Sequence, residues 1–393
     1  MSTALKIIVF LFVSPIVLGQ VQGNLELIDI FNMEYVSDPQ ISPDGSKIIY
    51  VRNFKDVMTD RNLSNLWMAN FDGSNNRPLT TGNHNDYNPR WSHDGKKIIF
   101  KSNMADDKMK LYLMWLDTKE TTPLTNTPDA PSQISWSQDD RQLAFTMFVP
   151  KVSESIVKMP VKPEGAKWNQ PPTYIDKMTY RADGQGYLKS GYDQIFVLST
   201  DGGTPRQLTF TDNNHGGPIW AKDDRSLYFD GNLHENHEFE PANSEIYQID
   251  IPDGQIKPLT KRFGPDAGPA LSPDGTKIAY TGFDDTFQGY QVTQLYLMNT
   301  DGSNPRLISK DIDRDIQNIF WAADGKGIYF LYDDKGDGKI GYISLNGKVT
   351  AIAETLGGLS LGRPYNQASF TVSKTDRFAY TLGGTEHPAA LAT

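Results

Sequence analysis

A short turn motif that recurs along nearly the whole chain constrains the fold more than any other feature. Its clearest copy is Ser272-Pro273-Asp274-Gly275, which stands between two apolar-rich segments. Pro273 presets φ for the first central turn position, and Gly275 can take the positive φ that reverses the chain. Most copies lie roughly 50 residues apart, a spacing typical of blades or solenoid turns. The other copies occupy residues 42–45, 92–95, 137–140, 221–224, 322–325 and, more loosely, 373–376.

A second hairpin signal follows six of these seven turns. In five of the six, Asp-Gly or Asn-Gly stands between short apolar segments, which is the strongest short-range indication of a β-hairpin. Two hairpins per repeat predict a four-stranded antiparallel blade, and a ring of blades buries both faces of every sheet. The sequence therefore predicts an all-β fold, a seven-bladed β-propeller of four-stranded antiparallel blades. Burial of both faces also explains why Ile98-Ile99-Phe100 is apolar throughout.

The repeats predict one propeller domain over residues 24–393, with an incomplete last blade. Phe370 to Leu382 supplies the first half of the seventh blade, and Ala389 to Ala392 resembles the start of its third strand. Because an unfinished blade leaves an exposed sheet edge, either the N-terminal segment completes the blade or the chain is a fragment. Leu25 to Asp38 is weakly helical in pattern, and the proline-rich stretch from Lys151 to Tyr187 is predicted to be an extended excursion in the third blade.

Composition and the N-terminus exclude several classes of function. The net charge of -10, without any basic run, argues against a nucleic-acid surface. The chain has no cysteine, which excludes disulfides, a thiol nucleophile and a thiolate metal site. Lys6 precedes an apolar run at 7–13, and small residues follow it, so residues 1–23 are predicted to be a signal peptide cleaved near 19–23. The mature chain is expected to be periplasmic or secreted, with no membrane attachment, and no lipoprotein cysteine follows the run.

Beyond the repeats, several segments make the chain resemble the propeller half of the prolyl oligopeptidase family of serine peptidases. Within that family the chain is most similar to the acylaminoacyl-peptidase and dipeptidyl-peptidase-like branch, and the similarity runs in order from about Leu25 to Thr393. The repeat alone is not specific, because propellers of the periplasmic Tol system share it. The segments that narrow the resemblance are Gly264-Pro265-Asp266, Ala279-Tyr280-Thr281-Gly282-Phe283-Asp284-Asp285, Gly362-Arg363-Pro364-Tyr365 and Glu386-His387-Pro388-Ala389.

The resemblance implies a gating and substrate-selecting role in a peptidase that cleaves peptides by acyl transfer through a serine. It also implies an α/β-hydrolase domain with a Ser-Asp-His triad, which is absent from this chain. The chain itself is therefore expected to hold no catalytic residue, cofactor or metal, and to meet peptide substrates through that missing domain. The alternative is a free-standing periplasmic propeller that scaffolds protein partners, as in the Tol system.

One segment formally matches the nucleophile-elbow pattern of α/β-hydrolases, with Ser360 at its centre. Its context argues against a nucleophile, because Pro364 follows where a helix should begin. The only downstream partners available for a triad are Asp376 and His387, both on predicted blade residues. We therefore interpret Ser360 as part of a blade loop.

The densest polar cluster comprises His234, Glu235, His237, Glu238 and Glu240, on a predicted hairpin loop. The His-x-x-His spacing is not that of a helical metal site. In dipeptidyl-releasing relatives, acidic side chains of the propeller hold the amino terminus of the substrate, and the resemblance makes Glu235 and Glu238 candidates for that role. The alternative interpretation is a solvated loop without a site.

Two further patterns are interpreted as structural. The acidic segment at 333–338 lacks the alternating ligands of an EF-hand loop, so a turn between two strands is predicted instead of a calcium site. Four tryptophans occupy equivalent positions in their repeats and are predicted to lie in the core between blades. They are Trp91, Trp136, Trp220 and Trp321.

Overall fold

The computed structural model describes residues 25–151, 160–169, 174–358 and 368–393. Its named strands pair antiparallel, and the described residues include one short 3-10 helix, Leu27–Phe31. The predicted all-β fold of four-stranded antiparallel blades is therefore confirmed. The weakly helical entry segment corresponds to this helix and the start of the first strand.

Six four-stranded blades follow one another along the chain, and in each the strands pair in the order in which they occur. Blade 1 consists of β1 (Tyr35–Ile41), β2 (Lys47–Asp56), β3 (Arg61–Asn70) and β4 (Arg77–Pro78). Blade 2 consists of β5 (Asp86–Trp91), β6 (Lys97–Ser102), β7 (Lys110–Trp115) and β8 (Thr121–Pro123). Blade 3 consists of β9 (Ser132–Trp136), β10 (Gln142–Pro150), β13 (Gly191–Ser199) and β14 (Arg206–Gln207), with the separate hairpin β11 (Arg181–Ala182) and β12 (Gly186–Tyr187) between β10 and β13.

The next three blades repeat the same arrangement. Blade 4 consists of β15 (Ile219–Trp220), β16 (Ser226–Gly231), β17 (Glu245–Asp250) and β18 (Ile256–Pro258). Blade 5 consists of β19 (Asp266–Leu271), β20 (Lys277–Gly282), β21 (Gln294–Asn299) and β22 (Arg306–Leu307). Blade 6 consists of β23 (Gln317–Trp321), β24 (Gly327–Asp334), β25 (Asp337–Ser344) and β26 (Val349–Leu356).

The seventh repeat is attached to the sixth blade instead of forming a separate sheet. Its strands are β27 (Phe370–Val372), β28 (Phe378–Leu382) and β29 (Ala390–Ala392), the last being the third strand predicted from the sequence. Leu356 of β26 bridges Leu382 of β28, so that both repeats share one seven-stranded sheet. The close approach is possible because Gly357 and Gly383 meet there: a Cβ on either would lie 2.9 Å from the Cα of the other.

The first and last repeats are in direct contact. The backbone N–H of Val36 donates to the carbonyl of Ala389 at 2.8 Å, and that of Ile41 donates to the Thr371 hydroxyl at 3.0 Å. These bonds join the two ends of the ring. The alternative in which the N-terminal segment completes the last blade falls partly on residues 1–24, which lie outside the described residues.

Consecutive residues of a blade's second strand face two different cores. Ile98 and Phe100 pack against blade 1, whereas Ile99 packs against blade 3, and all three are fully buried. Side chains alternate across a strand, so a strand between two blades has no solvent-facing side. Burial of both faces is thus confirmed as the reason why Ile98-Ile99-Phe100 is apolar throughout instead of alternating between apolar and polar residues.

The four tryptophans join neighbouring blades, which confirms their predicted position between blades. Each indole N–H donates to a backbone carbonyl of the preceding blade. The acceptors are Gln40 for Trp91 (2.9 Å), Arg90 for Trp136 (3.2 Å), Ser135 for Trp220 (3.3 Å) and Ala270 for Trp321 (2.9 Å).

Turns that carry Asp in place of Gly also bind the preceding blade. Asp224 takes a φ of 54°, and its carboxylate accepts hydrogen bonds from the backbone N–H groups of Gln138 (2.7 Å) and Asp139 (3.0 Å). Asp140 accepts equivalent bonds from residues 93 and 94. Asp is one of the few residues besides Gly that adopt the left-handed conformation in turns, so these turns keep the reversal and gain a contact between blades.

The strand order separates two faces of the molecule. Both hairpin turns of each blade lie on one face, which we call the turn face. The connections between second and third strands, and those between blades, lie on the opposite face, which we call the loop face. The two longest connections between second and third strands, which are the described parts of residues 151–190 in blade 3 and residues 232–244 in blade 4, are neighbours on the loop face. The first contains the excursion predicted from Lys151 to Tyr187.

The predicted signal peptide, residues 1–23, lies outside the described residues. Where the structure describes the chain, we find no helix whose length and apolar character would let it cross a membrane. Long connections from adjacent blades therefore meet on the loop face.

Candidate binding cleft

A cleft of about 960 Å³ opens on the loop face of blades 3 and 4. The excursion and the start of β13 form one wall, and the end of β16 with the 232–244 loop forms another. The cleft exists because two adjacent blades both carry a long connection between their second and third strands. Its volume is that of a site for a small molecule or a short peptide segment.

Exposed aromatic rings form the wall contributed by the excursion. Tyr180 and Tyr187 stack across the β11–β12 hairpin with their ring centroids 6.2 Å apart, and Tyr174 lies in the same wall. The ammonium of Lys177 lies 3.7 Å from the centroid of the Tyr192 ring, a cation–π contact. This wall can accept apolar groups against its ring faces and cations over them.

Carboxylates outnumber cations in the cleft. Burial raises the pKa of Asp230, and burial together with the neighbouring Asp129 raises that of Asp193. The Asp230 carboxylate lies against Gly216, where a Cβ would come within 2.4 Å of Oδ1. The net negative lining favours a cationic ligand. The charged lining residues are Asp129, Asp176, Asp193, Asp230 and Glu238 against Lys177 and Lys189.

The structure divides the polar cluster predicted on the 232–244 loop. Glu238 and His237 line the cleft and are half-buried, whereas Glu235 is exposed and outside the lining. His234 lies at the base of the loop, with Nε2 3.6 Å from the buried carboxylate of Glu245. Only one of the two glutamates singled out from the sequence therefore faces the cleft.

A buried charged cluster beneath the loop is absent from the sequence prediction. Burial raises the pKa of Glu245 to about 7 and also raises that of Asp266. Arg262 forms an ion pair with Asp266 and lies over the Tyr296 ring at 4.2 Å. The Thr260 hydroxyl donates to Glu245 at 2.5 Å. Two buried carboxylates thus lie near one guanidinium, which reaches solvent on its other side, where it pairs with the exposed Asp284 at 3.3 Å.

The acidic segment at 333–338 is a hairpin turn, as predicted. Lys335 and Gly336 take φ values of 56° and 93° between β24 and β25, and Asp334 pairs with Arg314 (3.0 Å) and Lys339 (3.2 Å). Across the described ranges we find no group of three or more His, Cys, Asp or Glu side chains placed to hold a metal ion.

Ser360 lies outside the described residues, but both of its conceivable triad partners are described. Asp376 precedes β28 and His387 follows it, so the two are separated by the length of that strand, roughly 17 Å at the usual rise per residue. The Asp376 carboxylate accepts a hydrogen bond from the backbone N–H of Ala323 at 2.9 Å. These two side chains cannot serve one triad.

Comparison with known proteins gives no matching protein-family model. The uncharacterized peptidase YuxL of Bacillus subtilis is 26% identical over 366 residues, which is 89% of this chain and 55% of that protein. Dipeptidyl-peptidase 5 of Porphyromonas gingivalis is 25% identical over 81% of this chain and 48% of its own length. A solved structure of Pyrococcus horikoshii acylaminoacyl peptidase superposes with a TM-score of 0.71 at 18% identity, over 92% of this chain and 51% of that one.

These matches have two features in common. The chain spans about half the length of these two curated relatives, and all three of these proteins are named as peptidases, whereas Tol-Pal system protein TolB of Francisella tularensis is 22% identical over 66% of this chain. The acylaminoacyl peptidase likeness independently supports the fold, because it extends over nearly the whole chain. The propeller fold and the peptidase relatives are consistent with the resemblance to the propeller portion of the prolyl oligopeptidase family that the sequence indicates.

Proposed function

We propose that this chain is the substrate-selecting propeller of an exported serine peptidase whose α/β-hydrolase domain lies outside the chain. The observation that carries the proposal is the acidic, aromatic-walled cleft with Glu238 in its lining. The free amino terminus of a peptide is a cation near neutral pH, and the negative lining attracts it. The peptidase relatives supply the class of substrate.

In this proposal the propeller binds and orients the peptide, and the missing domain supplies the serine for acyl transfer. The carboxylate of Glu238 accepts charge-assisted hydrogen bonds from the terminal ammonium. The rings of Tyr174, Tyr180 and Tyr187 pack against the side chains of the peptide. A cleft of this volume admits a short peptide and excludes a folded protein.

Export is the part of the proposal that rests on sequence alone. Lys6 precedes the apolar run at 7–13, and small residues follow at Gly19 and Gly23, the pattern of a cleaved signal peptide. The mature protein is then periplasmic or secreted and free of the membrane. It meets its peptides outside the cytoplasm.

Glu238→Gln tests the role of the cleft in binding an amino terminus. The substitution keeps the shape of the side chain and removes its charge. Affinity for a tetrapeptide with uncharged side chains and a free amino terminus should therefore fall roughly tenfold. Affinity for the acetylated analogue should not change. Isothermal titration of the chain with the two peptides measures both dissociation constants.

Glu235→Gln is the matched control, because it makes the same chemical change on the same loop at an exposed position. It should leave both affinities as they are in the wild-type chain. Equal affinity of the wild-type chain and Glu238→Gln for the free peptide would exclude Glu238 from amino-terminus binding.

A further inference from the structure

The repeat contains a position at which blade 4 differs in charge from both adjacent blades. In blades 3 and 5 this position is Gln194 and Gln294, and in blade 4 it is Glu245. The residue stands 15 positions before a hydroxyl side chain that accepts a hydrogen bond from the backbone of the same blade. In blade 5 the Ser309 hydroxyl donates to Gln294 at 2.7 Å, and in blade 4 the Thr260 hydroxyl donates to Glu245. Glu245 is therefore an ionisable group at a site that a neutral amide fills in both adjacent blades, whereas blade 2 carries Lys110 there.

The surroundings of Glu245 make its ionisation costly. Glu245 is 2% exposed and Asp266 is fully buried, with Oδ2 of Asp266 lacking a hydrogen-bond partner among the described residues. When both carboxylates are ionised, Arg262 alone does not balance them. A buried charge without a counter-ion costs several kcal/mol. The charged and titratable groups around Glu245 are His234 on the loop, Arg262 after β18, Asp266 on β19, Tyr247 on β17 and Tyr280 on β20. Arg262 in turn pairs with Asp284 and lies over the ring of Tyr296.

The 232–244 loop provides the missing cation through His234. Its Nε2 lies 3.6 Å from Oε1 of Glu245 and is itself buried without a well-oriented hydrogen bond. Elsewhere the loop is joined to its surroundings by neutral hydrogen bonds, such as those from Asn213 Nδ2 to the carbonyl of Asn232 at 2.9 Å and from the backbone N–H of Gly264 to Asn243 Oδ1 at 3.3 Å. The contact between His234 and Glu245 is thus the ionic link between the loop and the body of blade 4, and Glu238 lies on the same loop.

We propose that His234 and Glu245 form a proton-operated latch, which holds the 232–244 loop against blade 4 and so sets the position of Glu238 in the cleft. While at least one proton is shared between the imidazole and the carboxyl, the buried cluster has a balanced charge and the loop stays docked. When both groups lose their protons, two buried carboxylates face one guanidinium, and the loop moves outward to admit water. The consequence for peptide binding rests on the function proposed above, whereas the latch itself does not.

The latch should change state near neutral pH. Burial, the largest effect, raises the pKa of Glu245 to about 7, and the charge of Asp266 acts in the same direction. Docking is therefore expected at pH 6.5 and release at pH 8.5.

Hydrogen exchange of the loop amides tests the latch directly. After correction for intrinsic exchange rates, protection of the amides of His237, Phe239 and Glu240 should fall roughly tenfold or more between pH 6.5 and 8.5 in the wild-type chain. In Glu245→Gln, which reproduces the residue of blades 3 and 5, protection should stay high at both pH values. Glu235→Gln should behave as the wild type. Equal pH dependence in the wild type and Glu245→Gln would overturn the latch.

A second variant covers the case in which Glu245→Gln does not fold. His234→Gln removes the cation on the loop, so only a protonated Glu245 can balance the cluster, and the loop amides should stay protected at pH 5.5 and lose protection at a lower pH than in the wild type; full protection at pH 8.5 in this variant would also overturn the latch. Peptide titration then separates the two proposals. If the latch controls the cleft, Glu245→Gln should bind the free-amino-terminus peptide roughly tenfold tighter than the wild type at pH 8.5 and equally at 6.5. Loop release without this difference would refute the link to peptide binding and leave the latch standing.

Discussion

Replacing Trp220 by alanine should lower the free energy of unfolding by about 3–5 kcal/mol, the usual cost of removing a large buried aromatic side chain. Trp220 is 2% exposed and lies in the core shared by blades 3 and 4, against Ala144, Leu227 and Phe229. Its indole N–H also donates to Ser135 of blade 3. The loss therefore combines a cavity with an unpaired carbonyl, and urea denaturation of the two chains measures it.

Two control variants separate these causes. Trp220→Phe keeps a ring in the core and loses the N–H, so it should cost about 1–3 kcal/mol. Trp115→Ala makes the same change as Trp220→Ala at a position that is 37% exposed, and should cost less than about 1.5 kcal/mol. A Trp220→Ala chain as stable as Trp115→Ala would contradict the packing of blade 3 on blade 4 through this residue.

Glu245→Gln should stabilise the protein by about 3 kcal/mol at pH 8 and leave its stability unchanged near pH 4. Burial raises the pKa of Glu245 from an ordinary 4.5 to about 7, so between these values the native state binds more protons than the unfolded state. Stability from this group is then complete below pH 4.5, falls as the pH rises to about 7, and stays low above it. At 1.36 kcal/mol per pKa unit, the loss is about 3 kcal/mol.

Urea midpoints of the wild type and Glu245→Gln across pH 4 to 8 measure this difference. The two curves should diverge as the pH rises from about 4.5 to about 7 and keep a constant separation above it, because glutamine does not titrate. Glu235→Gln serves again as the control, since its exposed carboxylate pays no burial cost. Parallel curves for the wild type and Glu245→Gln would show that Glu245 ionises as freely in the native state as in the unfolded one.

Much of the fold was predictable because its signals are local. The Asp-Gly hairpins, the apolar strand Ile98-Ile99-Phe100 and the equivalent tryptophans each depend on a few adjacent residues, and the structure bears them out. The union of the seventh repeat with the sixth blade was not predictable, because it depends on a tertiary approach of Gly357 to Gly383. The hydrogen bonds that Asp140 and Asp224 accept from the preceding blade were not predictable for another reason. In the sequence an Asp-Asp turn looks like a weak copy of the Asp-Gly turn, and the N–H groups that it binds belong to another blade.

The candidate site was predictable only in part. The sequence pointed to the acidic loop, but the choice of Glu238 over Glu235 required the fold of the excursion that faces it. Asp193 and Asp230 gave no signal, since their significance lies in burial against other blades. Glu245 did leave a signal: alignment of the repeats places it opposite Gln194 and Gln294, which makes it a charge where both adjacent blades carry a neutral amide.

The most direct test of the central proposal is the size and reactivity of the native protein in its source cells. An antibody raised against this chain would isolate the protein, and a fluorophosphonate probe would label an active serine. We expect a protein larger than this chain by one catalytic domain, roughly 200 to 250 residues, that takes up the label outside residues 1–393. A native protein of about the mass of this chain, 44.0 kDa less its signal peptide, that resists labelling would contradict the peptidase proposal and favour the free-standing scaffold.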